Sequence, residues 1–380
     1  MILEIKKIVH GGYGLAFFED KTVFVPYAAP GDRVECAPVR ERKRVIFARI
    51  ERIVEPATVR REPECPVFGV CGGCHLQHLG YEDELAVKKQ AVLEDLSRIG
   101  KIETGVDRVI PSPSRYGYRN HAVFKVDEER RPGFLMRESE SLVPLPPAGC
   151  LLLPEAMRAA IAALPPEAFE PLTEVRVRID RYGNVHFWGL LDRVGPPEIL
   201  MEGGSLLYPV SPDSFFQVNA LLGGDLQQLV RSLPRAVPRK LLDLYCGVGF
   251  FTTALAGTAG EALGIERDQG AVRNAIAAAR LNALPNVKFR RGDAAREIAK
   301  LRGFDLVLVD PPRFGVPKAL LAGLLRLRPA EIVFVSCDPP TFARDAAALI
   351  EAGYVLYGLN LIDLFPATYH AEIVAIFRRG

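Results

Sequence analysis

No apolar run in this chain approaches the roughly 18 residues that a membrane-spanning helix needs. The opening residues, "MILEIKKIVH", alternate like a strand and lack the apolar h-region of a signal peptide. A strong excess of one charge is also missing. The formal net charge is +2, so any surface for a polyanion has to be local. "RERKR" at 40–44 is one candidate, with a solvated face as the plainer reading. The expected compartment is the cytoplasm, where seven cysteines are metal ligands, catalysts or core fillers in preference to disulfides. A length of 380 residues exceeds one ordinary core, and 49% hydrophobic with 25% charged residues suits two or three folded domains.

Two finer absences narrow the motifs. Cys65, Cys71 and Cys74 form a C-x5-C-x2-C pattern and Cys150 follows in "LPPAGC", but no second Cys-x-x-Cys knuckle completes a zinc site. Three soft ligands close together and a fourth from afar therefore favour a [4Fe–4S] cluster over zinc, with unligated thiols as the bland alternative. His75 and His78 are alternative ligands, read more simply as the start of the helix "LGYEDELAVKKQAVLEDLSRIG". In "DLYCGVGFF", Gly247 and Gly249 make a G-x-G turn, but Thr252 stands where a dinucleotide fingerprint has its third glycine. The turn thus permits close backbone approach to a ligand without indicating a pyrophosphate.

What is present divides into three parts. Residues 1–55 read as five short strands, "LEIKKIV", "LAFFED", "KTVFVPYA", "DRVECAPV" and "VIFARIERIV", separated by turn signals. That spacing predicts a small β-barrel of the oligonucleotide-binding kind. Lys6, Lys7, Arg40, Arg42, Lys43 and Arg44 are candidate phosphate contacts, and Tyr13 or Phe17 could stack on a base. Residues 56–214 read as an α+β domain with a helix near 153–163 and a hairpin at "DRYGNV". Arg115, Arg119 and His121 are its candidate substrate contacts.

Residues 215–380 form the third part, in which strands and helices alternate from Arg239 onward. The final "AEIVAIFRR" follows its predecessor through a loop too short for a parallel crossover and should run antiparallel. Six parallel strands and one antiparallel strand is the arrangement of the Rossmann-like methyltransferases. Glu266 closes the second strand, placed for ribose hydroxyls, and Asp293 follows the third, placed for an adenine amino group. Together they fit S-adenosylmethionine; singly each could be a solvated loop acid. Asp310 in "FDLVLVDPPR" and Cys337 in "IVFVSCDPP" end the next two strands, at the edge where open α/β sheets bind ligands.

A thiol at a methyl-transfer site has a chemical reason. Carbon 5 of a pyrimidine is a poor nucleophile until a thiolate adds to C6 and leaves an enolate. A base must then remove the C5 proton so that the thiol can leave. Free cysteine, with a pKa of about 8.5, needs some activation for this. Cys337 is the candidate nucleophile, Glu372 in "YHAEIV" the candidate base with His370 a lesser one, and Asp310 would orient the ring. A small buried hydrophobe is the alternative for Cys337, and it is the preferred reading for Cys36 and Cys246.

The order of "CPVFGVCGGC", Cys150, "YRN", "FFQVN", "DLYCGVG", "DPPR", "SCDP" and "HAE" resembles the RNA 5-methyluridine methyltransferases over nearly the whole chain. The likeness is strongest to the branch acting on 23S ribosomal RNA that carries an iron–sulfur cluster and an N-terminal TRAM domain. The resemblance implies Cys337 as nucleophile and Glu372 as base. Gln217, Tyr245, Glu266, Asp293 and Asp310 fall on cofactor positions, and Cys65, Cys71, Cys74 and Cys150 on cluster ligands. It implies that residues around 77–108 pack on the catalytic domain. Phe250, His121 and Ala371 depart from the usual pattern. The expected partner is an unpaired or flipped uridine, in 23S ribosomal RNA first and the transfer RNA T-loop second, bound by a monomer. Competing readings are amino methylation of adenine or glutamine, which leaves Cys337 without a role, and a degenerate RNA-binding assembly factor.

Overall fold

The structure is a computed structural model, and it describes residues 1–191 and 194–380. Six strands build the N-terminal unit: β1 (Ile2–Glu4), β2 (Lys7–Val9), β3 (Tyr13–Phe18), β4 (Lys21–Pro26), β5 (Arg33–Arg42) and β6 (Val45–Glu55). They pair in the order β1-β5-β6-β4-β3-β2 around Leu3, Ile5, Val23, Val25, Val34 and Ile46. The stretch "LEIKKIV" is thus two strands, not the one expected. β1 pairs with β5 while β2 pairs with β3, so the chain changes partner near Lys6.

Next come α1 (Tyr81–Asp95), continued by a π-helical turn over Leu96–Gly100, and β7 (Arg108–Ile110). His75 and His78 precede this helix instead of starting it, because Leu76 and Leu79 are drawn into an apolar contact with Ile8 and Ala29 of the barrel. A central sheet has the order β10-β9-β8-β11-β12, from β8 (His121–Val126), β9 (Pro132–Leu135), β10 (Leu142–Pro144), β11 (Glu174–Ile179) and β12 (Val185–Trp188). Between β10 and β11, α2 (Glu155–Ala162) covers one face through Met157 and Ile161.

The remaining elements are β13 (Ile199–Gly203), β14 (Leu206–Val210), α3 (Gly223–Ser232), β15 (Lys240–Leu244), α4 (Phe250–Ala256), β16 (Glu261–Glu266) and α5 (Gln269–Leu281). They are followed by β17 (Val287–Arg291), α6 (Ala294–Ile298), β18 (Leu306–Val309), α7 (Lys318–Leu327), β19 (Glu331–Ser336), α8 (Pro339–Glu351), β20 (Tyr354–Ile362) and β21 (Glu372–Arg379). The catalytic sheet runs β17-β16-β15-β18-β19-β21-β20-β7. β21 is antiparallel to both of its neighbours, and the other pairs are parallel. The seven expected strands are joined by an eighth, β7.

Strands such as "LVLV" and "EIVFVS" read as unbroken apolar runs because both faces are covered. α1, α6, α7 and α8 pack on one face, and α3, α4, α5 with the β13–β14 hairpin pack on the other. This moves the boundary expected at residue 215. Ile199, Met201, Tyr208 and Val210 share a core with Leu226 and Leu241, so the hairpin belongs with the catalytic sheet. Among the described residues, no helix is long and apolar enough to cross a membrane.

Candidate active site

The crevice lies beyond the carboxyl ends of β15 to β19. After β15 the chain turns sharply through Tyr245 (φ 66°), Gly247 (φ 53°) and Gly249 (φ 83°) before α4 begins. A Cβ on Gly249 would stand 2.7 Å from the Phe289 ring, so this position requires glycine for space as well as conformation. A Cβ on Gly247 would meet nothing within 4 Å, which leaves the turn open to a ligand.

Glu266 ends β16 beside this turn. Its carboxylate accepts from Gly247 N at 3.1 Å, Arg267 N at 2.6 Å and Asp268 N at 2.8 Å. A carboxylate offers about four acceptor positions, so a ligand diol that takes both oxygens must displace one of these contacts. Asp293 caps α6 by accepting from Arg296 N at 3.0 Å and is otherwise exposed. Burial pushes the Tyr245 phenol up to about 12, helped by the charges of Asp293, Asp345 and Glu266, which places the tyrosine among these acids. Gln217 is buried on a segment pinned to α5, where Asn274 Oδ1 accepts from Ser211 N and Ser214 Oγ. Two residues on, Asn219 Nδ2 donates to Leu364 O at 3.3 Å, so the segment carrying Gln217 is tied both to α5 and to the loop after β20. Phe250, where a polar residue was usual, packs against Tyr208, Phe216 and Phe251.

The reacting half of the crevice is set by the junction of β19 with β21. Ser336 pairs with Ile373, so Cys337 continues one strand as Glu372 begins the other. Asp310 follows β18, the neighbour on the far side of β19. Burial pushes the Cys337 thiol up to about 12, and the charges of Glu372 and Asp310 push the same way against Arg313. Burial raises Asp310 to about 7. Glu372 lies well above the usual carboxylate range, through burial and then the charge of Asp310. Two carboxyls and a thiol thus resist ionising together, and a cation in the crevice would relieve all three. Cys337 also sits just before α8, whose N-terminus is capped by Asp338 and favours negative charge. His370 is a poor base in this setting. Burial and Arg313 hold it down to about 2, and its Nε2 lies 3.2 Å from Arg313 Nη2.

Two contributors were not foreseen. Arg313 is the cation whose charge acts on the Cys337 thiol, and its place in "DPPR" was the available signal. From the barrel, His10 reaches within 3.8 Å of Asp338 Oδ2 and packs edge-on against Tyr369, 5.6 Å between centroids. The turn after β2 therefore borders the crevice. Tyr13, a candidate for stacking on RNA, is taken up by Arg137, whose guanidinium lies 4.0 Å from its ring centroid, and by Glu138. Phe17 stays exposed.

Away from the crevice, Cys65, Cys71, Cys74 and Cys150 line one cavity of about 100 Å3 with Arg119. Among the described residues, no three His, Cys, Asp or Glu side chains converge as a single-ion site. Burial raises Cys71, Cys74 and Cys150, and Arg119 opposes that rise at Cys74 and Cys150. Arg119 Nε has no hydrogen-bond partner. Of the other candidate substrate contacts, Arg115 donates to Leu76 O and Glu84 Oε2, both at 2.8 Å, and His121 lines a separate cleft with Arg178 and Trp188. His75 and His78 are buried and neutral, held down to about 3 and about 4 by burial.

The glycine turn, the acids at successive strand ends and the antiparallel β21 define an S-adenosylmethionine-dependent methyltransferase. Residues 197–379 match the family described as tRNA (Uracil-5-)-methyltransferase, and residues 1–59 match the TRAM domain of tRNA (uracil(54)-C(5))-methyltransferase. An RNA methyltransferase of Aquifex aeolicus without assigned function is 35% identical over 98% of this chain and 97% of its own. The 23S rRNA (uracil(1939)-C(5))-methyltransferase RlmD of Pseudomonas putida is 31% identical over 100% of this chain and 93% of its own. The crystal structure of Pyrococcus abyssi tRNA (uracil-54, C5)-methyltransferase with S-adenosyl-L-homocysteine superposes with a TM-score of 0.79, at 26% identity, covering 99% of this chain and 100% of that one. The chain belongs to the RNA uracil-5-methyltransferase family, as its motif order implied.

Proposed function

We propose that this protein transfers a methyl group from S-adenosylmethionine to C5 of a uridine in 23S ribosomal RNA, through a covalent adduct on Cys337. The observation that carries this reading is the meeting of Cys337 and Glu372 at the β19–β21 junction with Asp310 alongside.

Gln217, Tyr245, Glu266, Asp293 and the turn at Gly247 and Gly249 bind the cofactor, and Asp310 faces both cofactor and base. The bound sulfonium supplies the positive charge and the methyl group. Near that charge, Cys337 ionises and Sγ adds to uracil C6. The C5=C6 electrons move to the O4 enolate, C5 attacks the methyl carbon, and the carbon–sulfur bond of the cofactor breaks. Glu372 then takes the C5 proton, the double bond re-forms, and Sγ leaves as thiolate. The uridine must be unstacked for the thiol to reach C6.

The cysteine cavity is read as the site of an anionic cluster. The four thiols line one cavity, and an unpaired arginine nitrogen lies beside them. Cys65, Cys71, Cys74 and Cys150 would hold a [4Fe–4S] group there, tying distant segments together. Iron and acid-labile sulfide analysis of anaerobically purified protein tests this.

Ribosomal RNA is preferred because the RlmD relative matches along nearly its whole length. The transfer RNA T-loop is the second reading, favoured by the likeness to the Pyrococcus tRNA (uracil-54, C5)-methyltransferase. Methylation of both RNAs, isolated from a strain lacking the gene, decides between them. Transfer to transfer RNA alone overturns the ribosomal assignment.

A further inference from the structure

The loop 363–371 joins β20 to β21 and delivers Glu372, and its backbone is held chiefly from outside. Lys88, buried on α1, donates from Nζ to Asp363 Oδ1 at 2.8 Å, Phe365 O at 3.0 Å and Glu84 Oε1 at 2.8 Å. The same Glu84 oxygen accepts from Ala367 N at 2.7 Å, and its other oxygen accepts from Arg115. Tyr81 OH donates to the second Asp363 oxygen at 2.9 Å. Pro366 O accepts from Tyr118 OH at 3.0 Å, and Ala367 O from His75 N and Leu76 N at 2.9 and 3.0 Å. Ala367 itself is held at a φ of 66°, which a side chain seldom adopts unless its surroundings impose it.

Buried ion networks of this kind add little net stability, since desolvation offsets the attraction, but they can fix one geometry. An apolar α1 face would have packed as tightly without holding individual loop atoms. We propose that Lys88 and Glu84 are positioning residues for Glu372, fixing the loop so that its carboxyl meets the C5 proton of the methylated adduct. This rests on the covalent reading above. Because the base acts only after methyl transfer, a displaced loop should spare adduct formation and slow adduct release.

The test uses full-length protein, S-adenosylmethionine with a labelled methyl group, and 23S ribosomal RNA from a strain lacking the gene. Label in the denaturation-stable protein–RNA adduct and label in free RNA are followed in one turnover. In Lys88→Met, label should enter the adduct within about threefold of the wild-type rate and leave it at least about tenfold more slowly. Lys88→Met/Glu84→Gln keeps the buried charges balanced and carries the test if the single variant fails to fold. Tyr81→Phe, which removes one hydroxyl, should slow release by a smaller factor. Wild-type release from a folded variant, or equal loss of both steps, overturns the positioning role. A wild-type protein that methylates RNA with no adduct at all overturns the covalent reading instead.

Discussion

Cys337 and Glu372 lie opposite each other where β19 ends and the antiparallel β21 begins, one step beyond the paired residues Ser336 and Ile373. An antiparallel final strand next to β19 is what brings the proposed nucleophile and the proposed base from different chain segments to one edge. Cys337→Ala should therefore abolish methylation while leaving S-adenosylmethionine affinity, measured by calorimetry, within about twofold of wild type. Residual methylation above about 1% of wild type would point to amino or oxygen chemistry, which needs no thiol.

Glu372→Gln separates the two halves of the reaction. Methyl transfer continues, but removal of the C5 proton slows by about 10²-fold or more, the usual range for losing a general base. Denaturing gels should show methyl-labelled protein–RNA adduct accumulating as free methylated RNA declines.

Acidity in the crevice gives a pH dependence with a definite sign. Cys337 stands at about 12 and Glu372 above its usual range, and both must lose protons before or during turnover. Single-turnover rates should climb between about pH 7 and 9, by up to about tenfold per unit. A flat profile would mean that neither group limits the rate.

Raised carboxyls cost stability at neutral pH. Asp310, raised to about 7, keeps its proton when folded at pH values where the unfolded chain has lost it. The folded state then binds more protons, so its stability falls as pH rises from the ordinary carboxylate range to about 7. Asp310→Asn removes that penalty. Its melting temperature should exceed wild type by a margin that grows over this window and flattens above it.

Glu266→Ala should weaken cofactor binding by about tenfold or more, the loss of charged hydrogen bonds, with little change in the rate at saturation. Calorimetry with S-adenosylhomocysteine reads this directly.

The catalytic sheet was legible because "LVLV" and "EIVFVS", covered on both faces, show as apolar runs that lead directly to Asp310 and Cys337. The split between β1 and β2 left a fainter trace. Leu3, Ile5 and Ile8 are the buried positions, so the alternation slips by one residue across Lys6 and Lys7. α1 offered less. Its buried face carries Glu84, Lys88 and Asp95 beside Val92, and besides Glu84 the partner of Lys88 is Asp363, 275 residues away. No local pattern can announce a pairing at that distance. β7 is only three residues long, and its place beside β20 depends on where α1 docks.

RNA carrying 5-fluorouridine at the target position tests the central claim most directly, since fluorine cannot leave as a proton and the adduct cannot resolve. With S-adenosylmethionine present, mass spectrometry should find the modified nucleotide and one methyl group attached to the peptide containing Cys337. Efficient methylation of the natural RNA, with no such adduct on the fluorinated one, would contradict the account.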